Sequence, residues 1–231
     1  MSQKGKLIGV GVGPGDPELM TIKAVRTVRA VRTIAVVGNK EKALGYKICR
    51  SQVEDLDTKF CLELDMPMTN DTDAMMRAVR QSADLVVKVL EAGDDVAFLT
   101  LGDPSLYCSY TYLQKYVSEM GYETAMISGV PSFCAAASLM NEELVSGTDE
   151  LHVIPMTSGT DDYLEYSGTK ILMKASIGYD KTIARLKEID DPVKITMVVN
   201  AGMENEQVYH RPEEFPEKVG YFATIIIGGR K

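Results

Sequence analysis

Two short acidic stretches stand where a chain could hold and process a ligand. Gly13-Pro14-Gly15-Asp16 follows the apolar run 7–12, and Leu101-Gly102-Asp103-Pro104-Ser105-Leu106-Tyr107 follows the apolar run 95–100. Each reads as a buried strand broken by a Gly-Asp turn and continued with helical spacing. In an open α/β sheet the carboxyl ends of strands are where ligands bind. Asp16, Asp103 and Tyr107 are the side chains there that could take a proton or orient a reactant. Both aspartates also suit a plain turn or helix cap, where a carboxylate accepts local backbone N–H groups. The glycines let main chain approach a flat ligand closely, so backbone amides and carbonyls are expected to do much of the recognising.

What these loops lack narrows the ligand. A dinucleotide fingerprint needs G-x-G-x-x-G entering a helix; counted from Gly9 the third glycine is Pro14, and counted from Gly11 it is Asp16. No Gly-Lys-Ser/Thr occurs, so a P-loop is excluded as well. An aspartate at a helix entrance repels the phosphate that such loops cradle. A nucleotide-like ligand without phosphates, or one carrying positive charge, fits better.

The elements that must position these loops follow from periodicity. Residues 7–12, 33–38, 59–64 and 95–100 read as strands separated by helical segments; 69–92 is one long amphipathic helix, and 105–120 is another that stops at Gly121. Such alternation implies a parallel sheet with covering helices. After Gly121 the pattern restarts: 124–128, 152–156, 170–174, 194–200 and 223–228 are strands, 180–189 is helical, and 205–218 is a surface hairpin or loop. The reading is two α/β domains, 1–120 and 121–231, with a cleft between them. The cleft is expected to be lined by 14–16, 101–103, 128–132, 170–174 and 201–202.

Composition removes other classes. The 231 residues carry a net charge of -8, against the basic footprint that nucleic acid requires. No apolar run is long enough to span a bilayer, and the first residues lead straight into a strand; a cytoplasmic protein is expected. Cys49, Cys61, Cys108 and Cys134 form no C-x-x-C pair and read as small buried hydrophobes. His152, in Leu-His-Val-Ile-Pro, reads as a structural strand residue, and no metal held by the protein is expected. The thirteen methionines read as core filler. Tyr107, Tyr110 and Tyr112 cannot share one helical face. Lys23, Arg26, Arg29 and Arg32 form a basic stripe, a solvated face that could also attract carboxylates.

In combination these motifs closely resemble the tetrapyrrole methylase family, whose members methylate porphyrinoid rings with S-adenosyl-L-methionine. The resemblance runs from Gly9-Val-Gly-Val-Gly-Pro-Gly-Asp-Pro-Glu-Leu-Met-Thr21, through Gly-Asp-Pro-Ser-Leu-Tyr107, Ser128-Gly-Val-Pro-Ser-Phe133 and Leu-Met-Lys174, to Ala223-Thr-Ile-Ile-Ile-Gly228. Within the family the first two stretches look most like the cobalamin-pathway branch that methylates carbon 20 of precorrin-2 or cobalt-factor II. By position, the resemblance implies that Pro14 lines the first loop and that Leu101, Gly102, Asp103 and Leu106 hold the cofactor. Pro131, Ser132, Met173, Ala201, Gly202 and Thr224 match its other cofactor-contacting positions. Where many relatives carry a hydroxyl, this chain has Pro131, which suits the first residue of the following helix, where its missing N–H is not needed.

The resemblance further implies a two-domain fold, release of S-adenosyl-L-homocysteine, a homodimer, and cobalt only within the substrate; short loops and a compact chain favour the cobalt-containing form. Methyl displacement from a sulfonium disperses charge, so alignment and water exclusion should outweigh strong acid or base chemistry. Asp16, Asp103 and Tyr107 then remain candidates for removing a proton after transfer or for orienting the ring. Other readings are a methylase acting at another position of the macrocycle, or a non-catalytic or regulatory module that binds an adenosine ligand. A hydrolase is disfavoured by the lack of G-x-S-x-G.

Overall fold

A run buried on both faces belongs in the middle of a parallel sheet, and every residue of β1 (Leu7–Gly11) is buried in the computed structural model of the chain. The structure describes residues 4–67, 69, 71–156, 162–189 and 193–228. It divides into two units, Met1–Pro131 and Ser132–Lys231.

In the first unit β1 is followed by α1 (Ile22–Ala30), β2 (Thr33–Val37), α2 (Leu44–Arg50), β3 (Phe60–Leu64), α3 (Thr72–Glu91), β4 (Val96–Thr100), α4 (Tyr110–Glu119) and β5 (Thr124–Ile127). The strands are all parallel, in the order β3-β2-β4-β1-β5. Alternate side chains face opposite ways along a strand. Ile8, Val10, Ile34, Val36 and Leu99 pack with Ala24 and Val28 of α1 and with Tyr46 and Ile48 of α2. Leu7, Ala35, Val96 and Phe98 pack instead with Val79 and Val86 of α3 and with Leu113 and Val117 of α4. The helices that follow the neighbouring strands β1 and β4 therefore lie on opposite faces, the topological switch that places a binding crevice at those strands' carboxyl ends.

Three expectations need correction here. Helix α3 begins at Thr72, not 69, because the Asp71 carboxylate accepts the Ala74 N–H at 2.9 Å and caps it there. Helix α4 begins at Tyr110 rather than 105; Tyr107 sits at φ 48, a conformation that a bulky side chain in a helix cannot hold. Strand β5, assigned from the pattern to the second half, pairs in parallel with β1, Leu7 opposite Thr124 through Val10 opposite Ile127. The division between units consequently falls after Pro131, not at 120.

Tyr110 belongs to this core, not to any face that could meet a substrate. Its ring fills the space left by the missing side chain of Gly9, where a Cβ would lie 2.5 Å from it, and its hydroxyl donates to the Ala125 carbonyl at 2.6 Å. Burial pushes the phenol up to about 12. Tyr110→Phe should cost about 1 kcal/mol in urea denaturation, the usual net worth of one such bond, with cofactor affinity unchanged.

The second unit contains α5 (Ser132–Met140), β6 (Leu151–Pro155), β7 (Thr169–Met173), α6 (Tyr179–Lys187), β8 (Ile195–Val199), β9 (Gln207–Tyr209) and β10 (Ala223–Ile227). Its sheet has the order β6-β7-β10-β8-β9; only β6 and β7 are parallel, so it is mixed and not a second copy of the first sheet. The stretch 205–218 holds strand β9 and a short 3-10 turn, Pro212–Glu214, where a plain loop or hairpin is expected from the sequence. Leu172, Ile183, Leu186, Met197 and Ile225 form its core. His152 lies on β6 with its ring 5.0 Å from that of Tyr166 and its Nε2 3.5 Å from the Glu150 carboxylate. Burial pushes the Cys49 thiol up to about 12, and burial is also the main cause that takes Cys61 to about 11, so both pack as thiols. Among the described residues no helix is long and apolar enough to cross a membrane.

Candidate functional site

Three strand ends of the first unit meet in one place. After β1 the chain passes through Val12 and Gly13; after β4 it passes through Leu101 and Gly102; after β5 it passes through Ser128 and Gly129. The Gly102 N–H donates to the Gly13 carbonyl at 2.9 Å, and Val12 N–H to the Thr100 carbonyl at 3.0 Å. The main chains are so close that a Cβ on Gly11 would lie 2.5 Å from the Gly102 oxygen and 2.6 Å from the Gly129 nitrogen. A Cβ on Gly129 would overlap the Gly102 carbonyl oxygen outright. Gly102 itself, at φ 65, has its nearest neighbours 3.9 Å from a Cβ position, so backbone is bare on that side. Glycine at 11 and 129 is thus a packing requirement, and at 102 a conformational one.

Asp103 locks this cradle. One carboxylate oxygen accepts Ser105 N–H at 2.9 Å and Ser105 Oγ–H at 2.5 Å, and the other accepts Gly129 N–H at 3.0 Å. Burial pushes the carboxyl up, but the bonds from Ser105 and from Gly129 outweigh it and hold it below the usual carboxylate range. A carboxylate so engaged is a weak base near neutral pH. Asp16 caps the short 3-10 turn Pro17–Leu19, its carboxylate accepting Glu18 N–H at 2.8 Å. Tyr107 is 44% exposed in its left-handed conformation. Beside it Cys108 Sγ lies 2.9 Å from Thr100 Oγ1, tying the loop back to the end of β4. Pro14 is buried, and Leu101, Asp103, Leu106 and Pro131 are half-buried. Helix α5 opens at Ser132, so Pro131 stands just before the first helical residue, one position earlier than expected.

In the second unit Met173, Ala201, Gly202 and Thr224 gather at one end of the mixed sheet. Met173 ends β7, Ala201 and Gly202 follow β8, and Thr224 is in register with both Met173 and Val198. Because β10 runs antiparallel to β7 and β8, its second residue lies level with the last residue of β7 and the last but one of β8. Gly202 N–H donates to the Glu206 carboxylate at 2.6 Å, which fixes the turn after β8. Lys170 is at the other end of β7, buried, with its ammonium on the Tyr166 carbonyl at 2.9 Å, so only the far part of 170–174 reaches the site end. The basic stripe is solvated: Arg29 donates to the Gln52 carbonyl at 2.8 Å and Arg32 lies 3.8 Å from Asp94.

Residues 6–215 match the family model for tetrapyrrole (corrin/porphyrin) methylases. The chain belongs to this family. It is 33% identical over 205 residues, 88% of this chain and 86% of the relative, to a Methanocaldococcus jannaschii protein named "Probable cobalt-precorrin-2 C(20)-methyltransferase". It is 29% identical over 240 residues, 98% of this chain and 96% of the relative, to the precorrin-2 C(20)-methyltransferase of Sinorhizobium sp.. Among solved structures, uroporphyrin-III C-methyltransferase of Thermus thermophilus in complex with S-adenosylhomocysteine has the same fold, with a TM-score of 0.68 at 19% identity, covering 97% of each chain.

For a tetrapyrrole methylase the cradle is suitable ground. The three loops 12–21, 100–109 and 128–132 contain Asp16, Glu18 and Asp103 and not one lysine or arginine. Bare backbone beside carboxylates suits an uncharged flat base joined to a cation, and it does not suit phosphates. The part of this tetrapyrrole methylase that sequence reasoning missed is the contact between Gly11 and Gly129. The signal was present as a glycine in each apolar strand end, but which glycines face each other depends on strand order.

Proposed function

We propose that this chain is an S-adenosylmethionine-dependent C-methyltransferase acting on carbon 20 of a cobalamin-precursor tetrapyrrole, precorrin-2 or its cobalt complex. The observation that carries the reading is the glycine cradle locked by Asp103 in a chain whose family model covers 6–215. When bound, the cofactor supplies an electrophilic methyl group on a sulfonium. Pro14, Leu101, Gly102, Leu106, Ser132, Met173, Ala201, Gly202 and Thr224 are the positions that the family resemblance assigns to it and that would hold it. Asp103 acts as a positioning residue that keeps the Gly102 and Gly129 backbones in register. Asp16 shapes the loop that follows β1, and Tyr107 orients the substrate at the lip of the β4 loop. Of the two substrates, this reading takes the cobalt complex as the preferred one. The active form in this reading is a homodimer.

Incubation with S-adenosylmethionine and either metal-free precorrin-2 or its cobalt complex should add the mass of one methyl group, faster with the cobalt form. Tandem mass spectrometry or NMR of the product should place that group at carbon 20. Tight binding of S-adenosylhomocysteine with no mass gain on either compound would overturn the enzyme reading in favour of a binding module.

A further inference from the structure

The cofactor-position end of the second sheet carries an aromatic pair that the reading above does not use. Tyr221 and Phe222 are 37% and 38% exposed, their rings edge to face with centroids 5.3 Å apart. Isolated exposed rings are ordinary, but these stand on pinned backbone. The Phe222 carbonyl accepts Asn200 N–H at 3.0 Å from one side, and the Ala223 carbonyl accepts Ala175 N–H at 3.2 Å from the other. The chain leaves β7 and β8 through Lys174 and Asn200, both at φ 57. Asparagine tolerates that conformation; lysine does so less readily, and such strain persists where surroundings hold it.

The left-handed turn brings the Lys174 ammonium to 5.6 Å from the Tyr221 ring centroid. It also sets Ile177, 44% exposed, on the same turn, with its N–H on the Lys174 carbonyl at 3.2 Å. Two perpendicular rings on a rigid base offer one face for stacking and one edge as a wall. An ammonium beside them favours an anion and disfavours the cationic sulfur of the cofactor. Lys174 immediately follows Met173, and Tyr221 precedes Thr224 by three residues, so the pair borders the positions assigned to the cofactor.

We propose that Tyr221, Phe222 and Lys174 form a seat for a planar conjugated ring bearing carboxylates, with a ring face on the aromatics and a carboxylate on the ammonium. This rests on the methyltransferase reading, for it names where the macrocycle of that substrate lies.

The test is fluorescence quenching by an unreactive carboxylated porphyrin and by its neutral ester, with S-adenosylhomocysteine affinity measured alongside by calorimetry. Phe222→Ala, Tyr221→Ala and Lys174→Met should each weaken binding of the acid porphyrin about tenfold. Tyr221→Phe should restore it, and Lys174→Met should leave binding of the ester unchanged. Lys174→Gly, which accepts the left-handed turn without strain, should lose porphyrin affinity with no fall in Tm, separating recognition from folding. The proposal is overturned if the wild-type chain does not bind the porphyrin, or if the variants bind it as the wild type does. It is also overturned if S-adenosylhomocysteine affinity falls in step, because the rings then belong to the cofactor. A shift in sedimentation without change in porphyrin binding overturns it as well, because the rings then meet a second copy. Methyl transfer by the wild type with unaffected variants would sink the seat and spare the enzyme reading. Porphyrin binding without methyl transfer would do the reverse.

Discussion

Gly129→Ala should lower the stability of the first unit by about 3 kcal/mol, the upper range for forcing a methyl into packed backbone. The added carbon overlaps the Gly102 carbonyl oxygen and lies within 3 Å of Gly11 backbone atoms, none of which can rotate away. Only separation of the β5 loop from the β1 and β4 loops relieves the overlap. Urea denaturation should report the loss, and calorimetry should find S-adenosylhomocysteine affinity down at least tenfold in whatever fraction still folds. Gly121→Ala, at a site where a Cβ meets nothing within 4 Å but φ is 83, is the control: it strains the backbone with no overlap and should leave cofactor affinity intact.

Asp103→Asn is the second large effect. An amide has one acceptor oxygen where the carboxylate has two, so it cannot serve both Ser105 and Gly129, and its NH2 group is turned toward an N–H. Losing a charge-assisted bond and leaving a half-buried donor unpaired costs about 2 kcal/mol. If that falls on the cradle, cofactor Kd rises about 30-fold. A positioning role predicts that binding weakens and that high cofactor concentration recovers most of kcat. A base predicts the opposite, a collapse of kcat at unchanged Kd. The pH dependence has a definite sign. Because the folded carboxyl is held below its ordinary value, its contribution is complete above the unfolded value of about 3.9. It is lost as pH falls through the folded value. The stability difference between wild type and Asp103→Asn should therefore be flat from about pH 5 upward and shrink in acid.

Strands and acidic turns were legible because apolar runs ending in Gly-Asp have few other uses. The strand readings 7–12, 33–38 and 95–100 each overran the observed strand by a residue at one end, a boundary error inherent in hydrogen-bond fraying. What was not legible depends on partners distant in the chain. Strand β5 reads the same from sequence whichever sheet it joins, and only its register with β1 decides. Tyr107 looked helical because nothing in its side chain announces a positive φ; the Asp103 and Cys108 contacts on either side impose it. One feature of the second sheet was available and unread. The resemblance placed a cofactor position at the end of β7, Met173, and another at the start of β10, Thr224. Those can share a sheet edge only if the two strands are antiparallel, as they are.

The interleaved order of the first sheet sets a timetable for synthesis. Strand β1 lies between β4 and β5 and touches neither β2 nor β3, so both of its neighbours are still unmade when some ninety residues have left the ribosome. Its backbone donors and acceptors wait unpaired through that interval, and the pairing that ends the wait closes one of the largest loops in the unit, a step that slows folding. The first unit accordingly completes its glycine cradle only when its last strand is made, and any ligand of that cradle can reward only chains that have already completed the sheet.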